Sequence, residues 1–505
     1  MATVLARALS LLLFAGLAAC AAQTTRPDAV PDTLVERDPD DAKLGAEAHP
    51  QILERYGGAY DDPALAAYVT GIGERIVAVS EQPDADWTFT VLDTPTINAF
   101  AVPGGYIYVT RGLVALAKDE AELAGVIGHE IGHVTAGHGG LRRDRSTAAS
   151  VAVLLGSLGL AVLGVDPTLT RGAMQAGQVA AGGTLASYSR SDELAADNLG
   201  VRYLARAGYD PYAQADFLER LGASTALEAD IAGASYNPNR VEFFASHPAS
   251  ADRTRLAIQV ADSTGTLPAR ARPTAGNRGR ERYLDAIDGV IWGDSPEQGF
   301  VEGRRFSHPV LRFRYEVPEG FRIRNTSGAV LASGPEGSRI ILDAGEDPGG
   351  SVSAYIAERW APALGREVRS GQLRGPQVVS QGGLDAAEAV LPVELSGTIY
   401  NALLYGVRHN GRIYRVTGLV KQGSRLLADL RAAARSFDPL SAAEAAEIKA
   451  PRLRIVSVGP GDTVEALTAR MAVDQRAQDR FRLINDLGSD DVLRPGQRVK
   501  LIAGG

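Results

Sequence analysis

Three of the seven histidines in this 505-residue chain fall within ten positions. His129 and His133 stand four apart with Glu130 beside the first, the pattern HExxH. Positions four apart share one face of an α-helix, so both imidazoles can reach one Zn²⁺ ion. Glu130 is then placed to take a proton from the metal's water. Chance is a poor explanation: if all 60 acidic residues were Glu, seven histidines in 505 positions would give about 0.01 such matches. Apolar Leu123, Val126, Ile127, Ile131 and Val134 would pack the other side of that helix. His138, five residues past His133, falls off the ligand face by this spacing, which leaves it behind the ligands or at the surface.

A catalytic zinc usually has three protein ligands and one open position. The chain has one cysteine, so neither a disulfide framework nor a cysteine zinc site is available, and the third ligand must be a histidine or a carboxylate. A second helix is predicted from the capping residues Ser189-Arg190-Ser191-Asp192 to the stop Gly208-Tyr209-Asp210-Pro211. Its Glu193, Asp197 and Gly200 share one face. Glu193 can ligate the metal, and Asp197, one turn on, can orient a ligand histidine from behind.

These motifs resemble the gluzincin metallopeptidases of family M forty-eight, which include HtpX-like membrane proteases and secreted periplasmic members. The likeness spans roughly residues 40 to 260. Besides HExxH and Glu193-x3-Asp197, it includes Asn98-Ala99-Phe100 and the turn Pro103-Gly104-Gly105, similar to the family's strand whose edge pairs with an extended substrate. Ser246-His247-Pro248, with Arg253 following, resembles its downstream His-Pro element. The resemblance implies one zinc ion per chain on His129, His133 and Glu193, with Glu130 as general base and Asp197 and Arg253 supporting the ligands. His247 would stabilise the oxyanion or occupy the fourth metal position at rest. One departure is Ala195 where the family commonly has a second Glu.

The elements around these motifs divide the chain. Leu11 to Ala19 is an apolar run too short for a confident span, ahead of Cys20. Leu17-Ala18-Ala19-Cys20 resembles a bacterial lipobox, the alternative being a plain secretory signal. We therefore expect a signal peptide over 1–19 and a lipidated tether over 20–41, with Ala21 after the cysteine favouring the outer membrane by resemblance to enterobacterial sorting. A mainly helical zincin-type unit with a small sheet, 42–262, is followed by an Arg- and Pro-containing linker, 263–303, whose charges face solvent or anionic lipid. Short alternating runs over 304–438 predict an α+β domain in which His308 and His409 are structural. A connector, 439–453, leads to a small unit, 454–503, of order strand, helix, helix, strand. Its Gly461-Asp462-Thr463, Asn485 and Pro495-Gly496-Gln497 resemble a LysM module, which implies peptidoglycan binding; a purely structural cap is the alternative.

The run 148–165 carries no charge and is long enough to span a bilayer, yet both zinc motifs must lie on one side of any membrane. A helical hairpin near the cleft fits better than a single crossing. With 52 basic against 60 acidic residues the net charge is −8, which disfavours an electrostatic nucleic-acid partner. The expected function is a zinc metalloendopeptidase of the bacterial envelope, on its periplasmic face, acting on misfolded or misassembled envelope proteins. The alternative is a peptidoglycan-associated chaperone or scaffold with a latent protease domain. The last unit, a whole domain away in sequence, is expected to localise the chain without touching its zinc chemistry.

Overall fold

A computed structural model describes residues 39–138, 188–231, 247, 251–265 and 278–504, apart from 327, 365–374, 396–397 and 474. Segments 1–19 and 20–38, including Cys20, and the apolar run 148–165 lie outside the described residues. No helix among the described residues is long and apolar enough to cross a membrane.

The first unit opens with α1 (Pro39–Arg55) and α2 (Pro63–Val77). Asp62 caps α2 by accepting from Leu65 N at 3.0 Å, and Pro63 has the φ that a first helical residue needs. A three-stranded sheet follows: β1 (Thr88–Leu92) lies parallel to β3 (Tyr106–Thr110), and β2 (Ala99–Val102) runs antiparallel on the other side of β3. Next come α3 (Arg111–Leu116) and α4 (Glu120–Thr135), the latter capped by Asp119. All of α4 except Val134 is buried, since α2, α5 (Arg190–Arg206), α6 (Ala213–Ile231) and the sheet surround it. Glycine makes the α4–α5 contact possible: a Cβ at Gly200 would sit 3.0 Å from His129 N and 3.3 Å from Gly128 C. The helix α7 (Ala251–Ser263) packs on α5 and α6.

The expected linker over 263–303 is corrected in its second half. Helix α8 (Arg280–Ile287) buries Tyr283, Leu284 and Ile287 in the same core as α2 and α4. Arg278, expected in a solvated linker, is buried and donates to Asp210 at 2.9 Å and Asp216 at 2.6 Å. The apolar triplet is too short to show as a periodic helix among breakers, and only the three-dimensional core gives it a partner.

Strands from Phe300 to Pro439 form the middle unit. Among the described residues, seven of them, including the long antiparallel run β4 (Leu384–Leu395), β5 (Thr398–His409) and β6 (Arg412–Lys421), make one sheet, beside a four-stranded one. One face of the large sheet packs on the helix Leu426–Ala434 around Tyr405, Tyr414 and Phe437, and Val352, Ile356 and Trp360 cover the other. His308 and His409 sit here, away from the zinc motifs. Burial pushes His308 down to about 4, and its Nδ1 accepts from Leu311 N at 3.2 Å.

The C-terminal unit has the order β7 (Arg452–Ser457), two helices (Val464–Thr468 and Ala477–Asn485), then β8 (Arg498–Ala503), with the strands paired antiparallel. Its expected remoteness is corrected. Leu453, Ile484 and Ile502 belong to the core that contains α4. Residues 289–292 run alongside β7, with Leu453 N donating to Val290 O at 2.8 Å and Trp292 N to Pro451 O at 2.7 Å. Lys500, fully buried, donates to the carbonyls of Ala115, at 2.9 Å, and Ala117, where α3 ends. Asp486 pairs with Lys118 at 2.7 Å and Arg220 at 2.8 Å. The apolar residues that dock the unit alternate with those of its own small core, so the sequence pattern looks like that of a free-standing module.

Deleting everything from Arg452 should therefore destabilise the first unit. Withdrawing three fully buried aliphatic side chains from its core costs on the order of 5 kcal/mol, equivalent to a Tm lowered by roughly 10 °C or more. Calorimetry of the full and truncated chains decides this; an unchanged first-unit transition would show that the docking is passive.

Candidate active site

α4 presents His129 and His133 toward α5, which answers with Glu193 from its first turn. Ser189 Oγ accepts from Asp192 N at 3.2 Å and Asp192 reaches back to Ser189 N at 3.0 Å, a capping box that fixes where α5 starts and hence where Glu193 points. His247 completes the group. Each of these four offers a ligand atom, and all four atoms lie within 4.8 Å of one another in buried surroundings. His129 Nε2 is 3.1 Å from His133 Nε2 and 3.3 Å from His247 Nδ1, and Glu193 Oε1 lies 2.9 Å from His247 Nδ1 and 3.3 Å from His133 Nε2.

Behind the group, Asp197 Oδ1 lies 2.9 Å from His129 Nδ1. Arg253 from α7 clamps Asp197 with two bonds, 2.7 and 2.8 Å, and reaches Glu193 Oε2 at 2.8 Å. Burial works to raise the Glu193 and Asp197 carboxyls, but facing His247 and Arg253 hold Glu193, and Arg253 and His129 hold Asp197, far below the usual carboxylate range. Burial pushes His133 the other way, well below an ordinary imidazole, so it is neutral with a lone pair to offer. A carboxylate and imidazole nitrogens converging on one point are the donor set that zinc prefers, and the residues fit that ion.

Glu130 is fully buried, and neither of its carboxylate oxygens has a hydrogen-bond partner among the described residues. Burial pushes its pKa up, against the pull of His247 and His129. A buried carboxylate without a donor costs free energy unless the site supplies one. His247 Nε2, at 3.5 Å, is too far for a hydrogen bond.

Asn98, Ala99 and Phe100 lie beside α4 on the sheet. Among the described residues β2 pairs only with β3, so its other edge carries backbone groups without a strand partner. Phe100 is turned into the core, with its ring 4.9 Å from Tyr108 and 5.3 Å from Tyr56. Asn98 is anchored through its backbone: N donates to Thr110 Oγ1 at 2.9 Å and O accepts from that hydroxyl at 2.8 Å. Cys20 lies outside the described residues.

Sequence reasoning missed Tyr188, whose ring is stacked 3.7 Å from that of His133 at an interplanar angle of 18°. Its signal was position, one residue before the Ser189 cap of the helix whose first turn carries Glu193. His138 is also close, with Nδ1 2.9 Å from His133 Nδ1.

Replacing Arg253 by Met leaves Asp197 and Glu193 buried without their guanidinium. The expected loss is about 3–5 kcal/mol, read by urea denaturation of chelator-treated protein. A change below about 1 kcal/mol would mean that the histidines alone hold the two carboxylates.

Residues 63–259 match the model of Peptidase family M48. The beta-barrel assembly-enhancing protease of Escherichia coli is 30% identical over 306 residues, 57% of this chain and 58% of the relative. The protein of the same name from Yersinia pestis is 33% identical over 167 residues, 32% of this chain and 33% of its own. The mitochondrial metalloendopeptidase OMA1 of Schizosaccharomyces pombe is 30% identical over 217 residues, 42% of this chain and 58% of the relative. The chain thus spans between a third and three fifths of the length of these relatives. Among solved structures, the solution structure of cyanobacterial PsbP from Synechocystis sp. PCC 6803 covers 28% of this chain at 13% identity and a TM-score of 0.23, too low to bear on fold or function. The matched segment holds all four converging residues and Glu130, so the part of this chain that is similar to Peptidase family M48 is the part that carries the candidate metal centre.

Proposed function

We propose that the protein is a zinc metalloendopeptidase of the bacterial cell envelope that hydrolyses peptide bonds in misfolded or misassembled envelope proteins. The observation that carries the peptidase reading is Glu130, a buried carboxylate lacking a hydrogen-bond donor among the described residues, beside a convergent His129, His133, Glu193 and His247. Bound zinc supplies Lewis acidity toward a scissile carbonyl and lowers the pKa of water in the site. Glu130 takes the proton of the attacking water and delivers it to the leaving amide nitrogen, a role that its raised pKa suits. His129, His133 and Glu193 hold the ion, and Asp197 and Arg253 fix their orientation. His247, 2.9 Å from Glu193, would be a further ligand to the ion at rest and would have to yield to substrate, a role favoured over an oxyanion role by its place among the ligand atoms. An extended substrate adds to the open edge of β2 at Asn98–Phe100.

The envelope assignment draws on the relatives named beta-barrel assembly-enhancing protease and on the signal-like start of the chain. Anchoring through lipidated Cys20, with the outer membrane favoured, and glycan binding by a LysM-like 454–503 belong to the same proposal. The strand, helix, helix, strand order supports the module. His247 seated in the ligand group also favours a second reading, an envelope chaperone or scaffold whose protease is latent.

Casein cleavage abolished by a chelator separates the two. Glu130→Gln should abolish it while zinc stays near one per chain, and Glu193→Ala should lose both, as elemental analysis will show. His247→Ala should keep zinc and raise kcat; unchanged kinetics would leave the His-Pro element a packing turn.

For the anchor, Cys20→Ser should move the protein from the detergent to the aqueous phase while cosedimentation with purified peptidoglycan persists. A wild-type chain without acyl mass would refute lipidation, and absence of cosedimentation would refute the glycan claim.

A further inference from the structure

The two histidines of α4 are supported differently. His129 turns its outer nitrogen to the carboxylate of Asp197, but His133 turns Nδ1 to another imidazole, His138 Nδ1, at 2.9 Å. Counting along a helix puts His138 off the ligand face. The chain, however, leaves the helix before reaching it. Gly137 has φ of 70°, Gly137 N donates to Val134 O at 3.0 Å, and His138 N donates to His133 O at 3.0 Å. This is a Schellman turn, and it folds His138 back beneath His133. On the ring's face lies Tyr188, at 3.7 Å.

We propose that His138 and Tyr188 are positioning residues that set the tautomer and the ring plane of His133, an inference that rests on the zinc-holding reading above. Two nitrogens 2.9 Å apart cannot both donate. For His133 Nε2 to offer its lone pair to an ion held between it, Glu193 and His129, the His133 proton must sit on Nδ1 and be donated to His138 Nδ1, which places the His138 proton on Nε2. The nearest described carboxylate to that Nε2 is Asp192, at 3.9 Å, beyond direct hydrogen-bond reach. His133 thus leans on a neutral acceptor and His129 on an anion. The contact with His138 selects the tautomer but leaves the ring free to tilt about it, and stacking on Tyr188 removes that tilt.

The test uses the full chain loaded with zinc and a chelator of known affinity. His138→Ala and Tyr188→Ala should each weaken zinc binding about 10- to 100-fold, with the melting temperature of the zinc-free protein unchanged. Tyr188→Phe, which keeps the ring, should restore affinity to within about threefold of wild type. Nitrogen NMR of the zinc-loaded wild type should find the His133 proton on Nδ1. Affinity within twofold of wild type in both alanine variants, or a His133 proton absent from Nδ1, overturns the inference while zinc binding itself stands. If His138→Ala does not fold, the two Tyr188 variants and the wild-type spectrum decide. A wild-type chain that takes up no zinc overturns both readings.

Discussion

The site depends on two helices approaching at backbone distance. A Cβ at Gly200 would come within 3.0 Å of His129 N, and one at Gly132 within 3.1 Å of Ala196 O, so α4 and α5 can pack this closely only because those positions lack a side chain. That spacing brings the carboxylate of Glu193 to 3.3 Å from His133 Nε2. With bulkier residues in the seam, ridge-into-groove packing would hold the axes 8–10 Å apart or more, about the limit for so short a reach. The histidine pair and the carboxylate thus form one centre through packing before any electrostatic term acts.

Electrostatics then sets the protonation of what packing has assembled. Two buried carboxylates and three buried imidazoles would be costly to hold together without a cation. Arg253 answers part of that demand, bridging Asp197 and Glu193 from the far side of the ligands. What remains is negative charge facing the point where the four ligand atoms converge, a place suited to a divalent ion. Glu130 stands outside this arrangement. Among the described residues no guanidinium pairs with it directly, and burial pushes it upward against the pull of His247, His129 and the more distant Arg253, so adjacent carboxylates on one site come to differ in basicity.

The first turn of α4 serves as the anchor for the rest of the chain. Glu120 accepts from Arg75 and Arg282, and Glu122 is held by Arg220, which also reaches the C-terminal unit through Leu483 O at 2.8 Å. Lys500 covers the carbonyls at the end of α3, just before the Asp119 cap. The helix carrying the histidines is therefore fixed at its entry by residues from α2, α6, α8 and the last fifty residues. A unit at the far end of the sequence is mechanically part of the zinc helix's surroundings.

His129, Glu130, His133 and Glu193 could be picked from the sequence because helical periodicity is local: spacings of four fix which side chains share a face, and Ser189 with Asp192 marks where the second helix begins. The strand, helix, helix, strand order of the C-terminal unit and the alternating strands of the middle unit were legible for the same reason. Tertiary structure alone decided what depends on a turn or on contact across long separations. A left-handed Gly137 returns His138 to His133, Tyr188 meets a ring 55 positions earlier, α8 finds a core that its three apolar residues do not announce, and β8 buries a lysine against α3. Periodicity carries no information about which faces meet, because burial is a property of both partners and the second partner lies elsewhere in the chain.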